Sequence, residues 1–236
     1  MNVSLAIVIP ARDVATTIER VIAEVPNELR AGVVVVDDGS NDETGSLASD
    51  LGVAVIRHAR SRGYGAAQKS GYAWAMERGA ERVVLLHGDG QYPTPRVLEL
   101  AGALDAADCA LGSRFLEASG RAIPGWRRWG NRLLTGLANW HLGGAFSELH
   151  TGARAYRISA LKTLDLSALS DDYVFDQQLL VCLIRAGFRF AERPLEARYD
   201  ETVQSISFWK SVRYGVGCVW AMSDQRLLEA VSRRVD

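Results

Sequence analysis

The chain has 236 residues, of which 48% are hydrophobic, and its 27 Lys and Arg residues almost balance its 28 Asp and Glu residues. This length is enough for a full-sized core in one domain, and a net charge of −1 gives no support for nucleic-acid binding. The cysteines Cys109, Cys182 and Cys218 are far apart, odd in number and without CxxC spacing, so they suggest neither a disulfide framework nor a zinc site and indicate reduced thiols in a cytoplasmic protein.

The first half of the chain alternates short apolar strands with helical segments. Strands are predicted at residues 5–9 (ended by Pro10), 33–36, 54–57, 83–86 and 109–112. Helices are predicted between them at residues 15–25, 42–51, 65–78 and 95–106. This alternation predicts an α/β fold, with a mostly parallel, doubly wound sheet flanked by helices.

After residue 120 the sequence becomes rich in Trp and Arg, and helices are predicted at residues 126–142, 175–185 and 207–230. No repeat or low-complexity linker divides the chain, which favours one domain with two functional halves. The first residues resemble a strand more than a signal peptide, and no apolar run reaches the roughly eighteen residues that cross a bilayer. Any membrane contact is therefore expected from the surface.

Two apolar strands end in acidic turns. Asp37 and Asp38 follow four valines, where a carboxylate can accept a nucleobase N–H or a ribose hydroxyl, although an Asx-turn would need no ligand. Asp89 stands between two glycines, and Gln91 follows it. Their oxygens suit Mg²⁺ or Mn²⁺, which take few protein ligands and bind substrate phosphates, although a plain β-turn is the alternative.

Eight motifs together resemble one known family. In chain order they are IVIPAR (7–12), VVDDGSNDET (35–44), RGYGAAQKSGYAWA (62–75), HGDGQYP (87–93), LGSRF (111–115), HTGARAY (150–156), YVFDQQLL (173–180) and ARYDETVQSIS (197–207). They resemble family 2 glycosyltransferases of the GT-A fold, and in particular the polyprenol-phosphate and dolichol-phosphate sugar (mannose) synthases.

The resemblance implies a single GT-A domain over residues 1–236, with a nucleotide-sugar-binding half (1–119) and an acceptor-binding half with C-terminal helices (120–236). It implies an inverting transferase that uses a GDP- or UDP-linked sugar, Mg²⁺ or Mn²⁺, and a polyprenyl phosphate acceptor. The expected location is cytoplasmic, with peripheral contact at the inner face of the membrane. A soluble hydroxyl acceptor and a sugar-nucleotide-binding module with degraded catalysis stay open as alternatives.

The resemblance also implies site residues. The residues implied in nucleotide-sugar binding are Pro10, Ala11, Asp13, Asp37, Asp38, Lys69, Gly88 and Arg114. The implied metal ligands are Asp89, Gln91 and His87, and the implied catalytic residues are Asp89, Arg198 and Asp176.

Several positions depart from the family pattern, among them the three that follow. His87 replaces the first Asp of the usual Asp-x-Asp, so it could ligate Mn²⁺, hydrogen-bond a phosphate or sugar, or simply end the strand. Val14 replaces an early carboxylate, which leaves the nucleotide preference open, and Gln178 stands where many relatives carry Glu.

The chemistry of the acceptor decides whether a general base is needed. A hydroxyl requires one, and the candidates are Asp176 and Glu148, whereas a lipid phosphate is already an anion near neutral pH. Residues 120–144 combine Arg121, Arg127, Arg128 and Arg132 with Trp126, Trp129 and Trp140. This mixture suits an anionic lipid headgroup at an interface, or an ordinary amphipathic helix packed on the sheet.

Overall fold

The computed structural model describes residues 3–116, 125–198, 208–224 and 227. The strands are β1 (Leu5–Ala11), β2 (Val33–Asp37), β3 (Ala54–Arg57), β4 (Arg82–Leu85), β5 (Cys109–Ser113), β6 (Arg154–Arg157) and β7 (Phe190–Pro194). The helices are α1 (Ala15–Ala23), α2 (Thr44–Asp50), α3 (Tyr64–Glu77), α4 (Thr94–Leu98), α5 (Leu100–Ala103), α6 (Gly125–Leu142), α7 (Ile158–Leu161), α8 (Phe175–Arg185) and α9 (Phe208–Ser223). Short 3₁₀ helices lie at Asn27–Gly32 and Leu166–Ala168.

The strands form one seven-stranded sheet in the order β3-β2-β1-β4-β6-β5-β7. β6 runs antiparallel to both its neighbours, and all other pairs are parallel. The mostly parallel sheet flanked by helices that the sequence predicts is therefore confirmed. The carboxyl ends of β1, β2, β3, β4 and β5 lie along one edge, where open α/β sheets bind ligands.

Strand β2 shows why the sheet is recognisable from sequence. Val34 and Val36 pack into the core on one face of the sheet, and Val33 and Val35 pack into the core on the other. A strand that is buried on both faces does not alternate apolar and polar side chains, which explains the run of four valines. This doubly buried strand provides a rigid base for Asp37 and Asp38.

Pro10 does not end the first strand as predicted, because β1 continues to Ala11. Val8 accepts a hydrogen bond from the backbone N–H of Leu86, so Val8 and Pro10 both direct their backbone groups toward β4. The paired part of β4 ends at Leu85, opposite Val8. The missing N–H of Pro10 therefore costs no hydrogen bond between the two strands.

The sequence pattern missed two strands and merged two helices. β6 is four residues long with an arginine at each end, and β7 is an edge strand that contains Glu192 and Pro194, so neither shows a clear apolar alternation. The helix predicted at residues 95–106 divides into α4 and α5. In the part of the chain that the structure describes, no helix has the length and apolar character needed to span a membrane.

Candidate active site

The two acidic turns lie on either side of the end of β1. The backbone N–H of Asp38 donates to the carbonyl of Ala11 at 2.9 Å. Gly88 packs on the other side, where an added Cβ would lie 3.4 Å from both the Pro10 carbonyl oxygen and the Ala11 Cβ. Pro10, Ala11 and Gly88 therefore line one edge together with both turns, as the sequence predicts.

Asp37 is fully buried and stabilises the first acidic turn. Its Oδ1 accepts the backbone N–H of Ser40 at 2.8 Å, and its Oδ2 lies 3.3 Å from Nε of Arg57. Gly45 leaves room for this carboxylate, since a Cβ there would lie 2.6 Å from Oδ2. Asp37 thus joins β2 to the start of α2, and its predicted contact with a nucleotide stays a prediction.

Asp38 is buried and accepts four hydrogen bonds. His58 Nδ1 (2.6 Å) and the Arg62 N–H (2.8 Å) meet Oδ1, and the Ser61 hydroxyl (2.7 Å) and the Gly63 N–H (2.9 Å) meet Oδ2. Burial raises the pKa of Asp38, but these hydrogen bonds outweigh burial and hold the pKa below its usual value. Four donors match the roughly four acceptor positions of a carboxylate, so Asp38 organises the loop after β3.

An open polar cavity of ≈ 320 Å³ lies beside this loop. Its lining is Arg12, Gly39, Ser40, Asn41, Arg57, His58, Ala59, Arg60 and Ser61. Three of these residues carry guanidinium groups, which bind phosphate, carbonyl and carboxylate oxygens. The cavity therefore suits an oxygen-rich or anionic ligand.

Asp13 adopts a left-handed backbone conformation (φ 53°) at the rim of this region. Its carboxylate accepts the Asn41 N–H at 2.8 Å, and its own N–H donates to the Ser40 hydroxyl at 3.0 Å. A non-glycine residue in this conformation is strained, and such strain is maintained where the surrounding contacts fix it. Asp13 thus holds the loop after β1 against the first acidic turn.

Asp89 presents a carboxylate at the second turn. Its Oδ1 accepts the Gln91 N–H at 3.0 Å, while Oδ2 has no hydrogen-bond partner among residues 3–116, 125–198 and 208–224. The side chain is half-buried, and Gly90 takes a positive φ of 67° to close the turn. The Gln91 carbonyl accepts the backbone N–H of Arg198 at 2.7 Å, which attaches the segment after β7 to this turn.

The side chain of His87 contacts other residues of the protein on several sides. Its Nε2 is 2.9 Å from the Tyr64 hydroxyl, and its ring meets Tyr92 edge-on at 5.6 Å between centroids. Nε2 also lies against Gly152, where an added Cβ would be 2.2 Å away. These contacts occupy Nε2, one of the two ring nitrogens that can ligate a metal, so the geometry favours a hydrogen-bonding role and metal ligation stays a prediction.

The close approach of His87 to Gly152 gives a testable prediction. In Gly152→Ala the new methyl group must displace the imidazole and break its hydrogen bond to Tyr64. We expect a loss of about tenfold or more in the rate of the sugar transfer that the family resemblance implies, since an ångström-scale displacement in a site costs up to about a hundredfold. The measurement is the initial rate at saturating donor. Gly102→Ala is the matched control, because a Cβ there meets nothing within 4 Å; equal rates for the two variants would contradict the packing role.

Tyr173 and Tyr64 form an aromatic wall next to His87. Their rings stack at 5.3 Å with an interplanar angle of 22°, and Tyr173 is 50% exposed. Burial raises the pKa of Tyr173, the negative charges of Asp172, Asp89 and Asp38 raise it further, and Arg12 opposes them. The Tyr173 hydroxyl is therefore close enough to both acidic turns to be influenced by their charges.

Arg114 is buried in an ion pair with Glu148. Its backbone N–H and guanidinium both donate to that carboxylate, and Nη2 also donates to the His150 carbonyl at 3.2 Å. Glu148 is fully buried, so this contact orders the end of β5. Burial, with Arg154 and Arg114 nearby, lowers the pKa of His150 to about 3, which keeps that ring neutral.

Asp176 and Lys69 contact residues outside the Asp89 turn. Asp176, 6% exposed, accepts a hydrogen bond from the Gln68 amide at 2.8 Å and lies 3.8 Å from Nη1 of Arg154. The Lys69 ammonium donates to the Leu169 carbonyl and pairs with Asp171 at 2.9 Å. Both residues connect α3 to the segment around α8, and their predicted substrate roles stay predictions.

Arg198 joins the site through its backbone, as described above, while its side chain points to α1. Its Nη1 lies 3.8 Å from Glu24, and the side chain is 43% exposed. Of the predicted basic and aromatic segment, Arg121 lies outside the described residues, as do the side chains of Trp126 and Arg127. Trp129 and Trp140 are exposed on α6.

Sequence reasoning missed four residues of this region: Arg12, His58, Tyr64 and Tyr173. Tyr64 and Tyr173 belong to two of the eight family motifs and stand near the starts of helices, and His58 follows β3 at the binding edge. These positions could have indicated the residues from the sequence. Arg12 could have been found as a cation directly after β1. In the described part of the chain, no three Asp, Glu, His or Cys residues cluster to hold a metal alone.

Comparisons with known proteins agree with this geometry. The sequence model of glycosyl transferase family 2 matches residues 6–165. The polyprenol monophosphomannose synthase of Mycolicibacterium smegmatis is 35% identical over 175 residues, which are 69% of this chain and 65% of that protein, so the chain spans about two thirds of that relative. The undecaprenyl-phosphate mannosyltransferase of Micrococcus luteus is 30% identical over 208 residues, 80% of this chain and 84% of that one.

A solved structure confirms the architecture. Glucosyl-3-phosphoglycerate synthase from Mycobacterium tuberculosis, crystallised with Mn²⁺, UDP and glucosyl-3-phosphoglycerate, superposes with a TM-score of 0.69 over 93% of this chain and 78% of that one. At 19% identity this likeness shows the fold alone, and it bears out the predicted GT-A fold. With most of the chain matched by the family model, the protein belongs to glycosyl transferase family 2.

Proposed function

We propose that the chain transfers one sugar from a nucleotide diphosphate donor to a polyprenyl phosphate and inverts the anomeric configuration. The observation that carries this proposal is Asp89, whose half-exposed carboxylate stands at the binding edge of the sheet with Oδ2 unpartnered among the described residues. The arginine-lined cavity lies at the same edge. A carboxylate at the same edge of the sheet as a cationic cavity suits a nucleoside diphosphate with a bound metal.

The nucleoside would occupy the cavity at the ends of β1, β2 and β3. Arg12, Arg57 and Arg60 offer donors to the carbonyl oxygens that both uracil and guanine carry. Pro10, Ala11 and Asp13 would form the rim through the strained turn after β1. This placement accepts either a UDP- or a GDP-linked sugar.

Mg²⁺ or Mn²⁺ fits a site based on Asp89. These ions commonly take one or two protein carboxylates and complete their shell with water and substrate phosphates, so a cluster of three protein ligands is not required. Gln91 stands at the same turn and His87 precedes it, although Nε2 of His87 is engaged with Tyr64. When bound, the ion would neutralise charge that develops on the departing diphosphate.

Arg198 would supply a second positive charge. Its backbone is fixed to the Asp89 turn, and its guanidinium has only the 3.8 Å contact with Glu24 among the described residues. A half-exposed pair at this distance stabilises the protein by less than about 1 kcal/mol. Arg198 can therefore exchange Glu24 for a diphosphate oxygen at little cost.

The acceptor is inferred from the state of the candidate bases. Glu148 is fully buried against Arg114, and Asp176 is buried against Gln68 and near Arg154. These buried protein contacts argue against either carboxylate as the base for a hydroxyl acceptor, whereas a phosphate monoester is already an anion near neutral pH and needs no base. The phosphate oxygen would attack the anomeric carbon as the bond to the nucleoside diphosphate breaks, which leaves the opposite anomeric configuration.

The two named relatives support the same acceptor class, since their names specify polyprenol and undecaprenyl phosphate. A lipid acceptor places the enzyme at a membrane surface, and we propose a cytoplasmic enzyme in peripheral contact with the inner face. We also propose a nucleotide-sugar-binding half (residues 1–119) and an acceptor-binding half (residues 120–236), with Arg198 of the second half contacting the donor diphosphate.

The test is product analysis with radiolabelled UDP- and GDP-sugars, with and without Mn²⁺, in the presence of polyprenyl phosphate. We expect label in the organic phase, dependent on the metal, with a product of inverted configuration. Label in a water-soluble glycoside would show that the acceptor is a soluble hydroxyl and not a lipid phosphate. Calorimetric binding of UDP or GDP without any turnover would indicate a binding module with degraded catalysis.

The variant Asp176→Asn sharpens this test, because the amide keeps the size of the carboxylate and removes its capacity as a base. We expect transfer to polyprenyl phosphate at an essentially unchanged rate per folded molecule. A loss of a hundredfold or more in kcat, with an unchanged fold, would reinstate Asp176 as a general base and argue for a hydroxyl acceptor.

A further inference from the structure

Helix α6 carries a continuous exposed apolar stripe. Its exposed large residues are Trp129 (69% exposed), Leu133 (47%), Leu137 (41%) and Trp140 (84%). With about 100° per residue, these four side chains fall within roughly 80° of the helix circumference. Their arrangement is a stripe along one side of the helix, whereas isolated exposed apolar residues would be scattered.

The neighbouring helix α9 also exposes apolar residues. It packs beside α6, where Gly215 lies against Leu134, and it exposes Val216, Val219 and Trp220 (75% exposed). We call these seven residues, Trp129, Leu133, Leu137, Trp140, Val216, Val219 and Trp220, the apolar face. Three of the seven are tryptophans, the residue type enriched at the boundary between bilayer and water.

The charge of these two helices differs from that of the whole protein. The chain has a net charge of −1, but α6 contains three arginines, α9 contains one lysine and one arginine, and neither contains Asp or Glu. Arg132 is exposed next to the stripe, with its guanidinium over the Phe115 ring at 5.3 Å. Basic residues beside an apolar surface complement the negative potential of an anionic bilayer.

Helix α9 lies close to the aromatic pair beside His87. Gly217 of α9 allows close approach to Val174, since an added Cβ would lie 2.7 Å from that side chain. Val174 follows Tyr173, whose half-exposed ring stacks on Tyr64, the hydrogen-bond partner of His87. A lipid whose phosphate lies at headgroup level would therefore meet the site without leaving the membrane surface.

We propose that the apolar face, with Arg132 beside it, is the surface by which this protein lies on an anionic lipid bilayer. The proposal rests on the proposed function in one respect, namely that the acceptor is held in that bilayer. A second copy of the chain is the competing occupant, but two such faces would bring their basic helices together, and like charges oppose that contact.

The first experiment measures co-sedimentation of the full chain with vesicles of phosphatidylcholine alone or with about 30% phosphatidylglycerol. We expect binding to the anionic vesicles that weakens with salt, and a blue shift of tryptophan emission. Trp140→Ser and Trp220→Ser should each weaken binding on the order of tenfold, because vesicle affinity scales with the buried apolar area. The charge reversal Arg132→Glu should also weaken it.

Arg96→Glu is the matched control, since Arg96 is exposed on α4, outside the two helices. This variant should bind like the parent protein. Absence of binding by the parent, or equal binding by all variants, would overturn the proposal. It would also be overturned if sedimentation velocity showed a dimer that the tryptophan variants dissociate.

The transfer assay separates this inference from the proposed function. With a short-chain, water-soluble polyprenyl phosphate, Trp140→Ser and Trp220→Ser should retain the parent rate, while transfer to a vesicle-embedded acceptor should fall about in proportion to binding. If the face variants lose vesicle binding but the protein transfers sugar only to soluble hydroxyls, the docking surface stands and the proposed acceptor fails. If the rates with the water-soluble and the vesicle-embedded acceptor fall equally in these variants, the apolar face affects folding or catalysis, and the proposal of a docking surface is wrong.

Discussion

Asp89→Ala is expected to lower the rate of sugar transfer by about a hundred- to a thousandfold, equivalent to roughly 3–4 kcal/mol of transition-state stabilisation. The reason is that Asp89 carries the acidic turn's one carboxylate, which we propose would hold the metal that neutralises the leaving diphosphate. The folded protein should be nearly unaffected, since the half-buried side chain makes a single hydrogen bond, to the Gln91 N–H. The measurements are initial rates across a Mn²⁺ titration and the midpoint of thermal unfolding.

Asp105→Ala is the matched control for Asp89→Ala. Asp105 is a surface carboxylate, 71% exposed and paired with Arg82, and it follows α5 on the opposite edge of the sheet. Its removal should leave the rate unchanged. Full activity in Asp89→Ala, or an equal loss in both variants, would show that the metal and diphosphate are bound elsewhere.

Arg154→Met is expected to lower the free energy of unfolding by about 3–5 kcal/mol. Arg154 is 1% exposed and donates to three backbone carbonyl groups, those of Thr151, Asp176 and Leu149, while its guanidinium lies 3.8 Å from the Asp176 carboxylate. Methionine fills much of the volume but leaves the buried Asp176 without its positive neighbour. Urea unfolding followed by fluorescence gives the difference.

A surface pair and a double variant test this explanation for Arg154. Arg96→Met, in the exposed pair with Glu99, should change the free energy of unfolding by less than about 0.5 kcal/mol. Adding Asp176→Leu to Arg154→Met should recover part of the loss, because no unpaired charge then stays buried. If the double variant loses as much stability relative to the parent protein as Arg154→Met and Asp176→Leu lose separately and added together, the charge explanation is wrong.

The sheet and its binding edge could be predicted because local patterns dominate there. Four valines indicate a strand buried on both faces, and the acids that follow must lie at its carboxyl end, where Asp37 and Asp38 are found. Gly88 and Gly90 likewise indicate the tight turn around Asp89. These inferences need only one strand and its turn.

The side-chain partners could not be predicted, because they come from distant parts of the chain. Asp38 receives its four hydrogen bonds from residues 58–63, and Arg114 finds Glu148. A carboxylate next to a glycine has the same sequence pattern whether its partners are ligands or protein groups. Asp176 illustrates this: an acid within an apolar helix suggests a substrate contact, but Gln68 and Arg154 account for its burial.

The antiparallel direction of β6 has a consequence for insertions and deletions. Because β6 enters the sheet from the binding edge, Gly152 reaches His87 only through the pairing in which Leu85 of β4 faces Arg154. A one-residue slip would turn the side chains of β6 to the opposite faces and remove the buried arginine from Asp176. Adding or deleting a single residue within residues 150–157 should therefore abolish both the core ion pair and the geometry around His87, whereas the turn at Gly187, on the far edge, has room for additional residues.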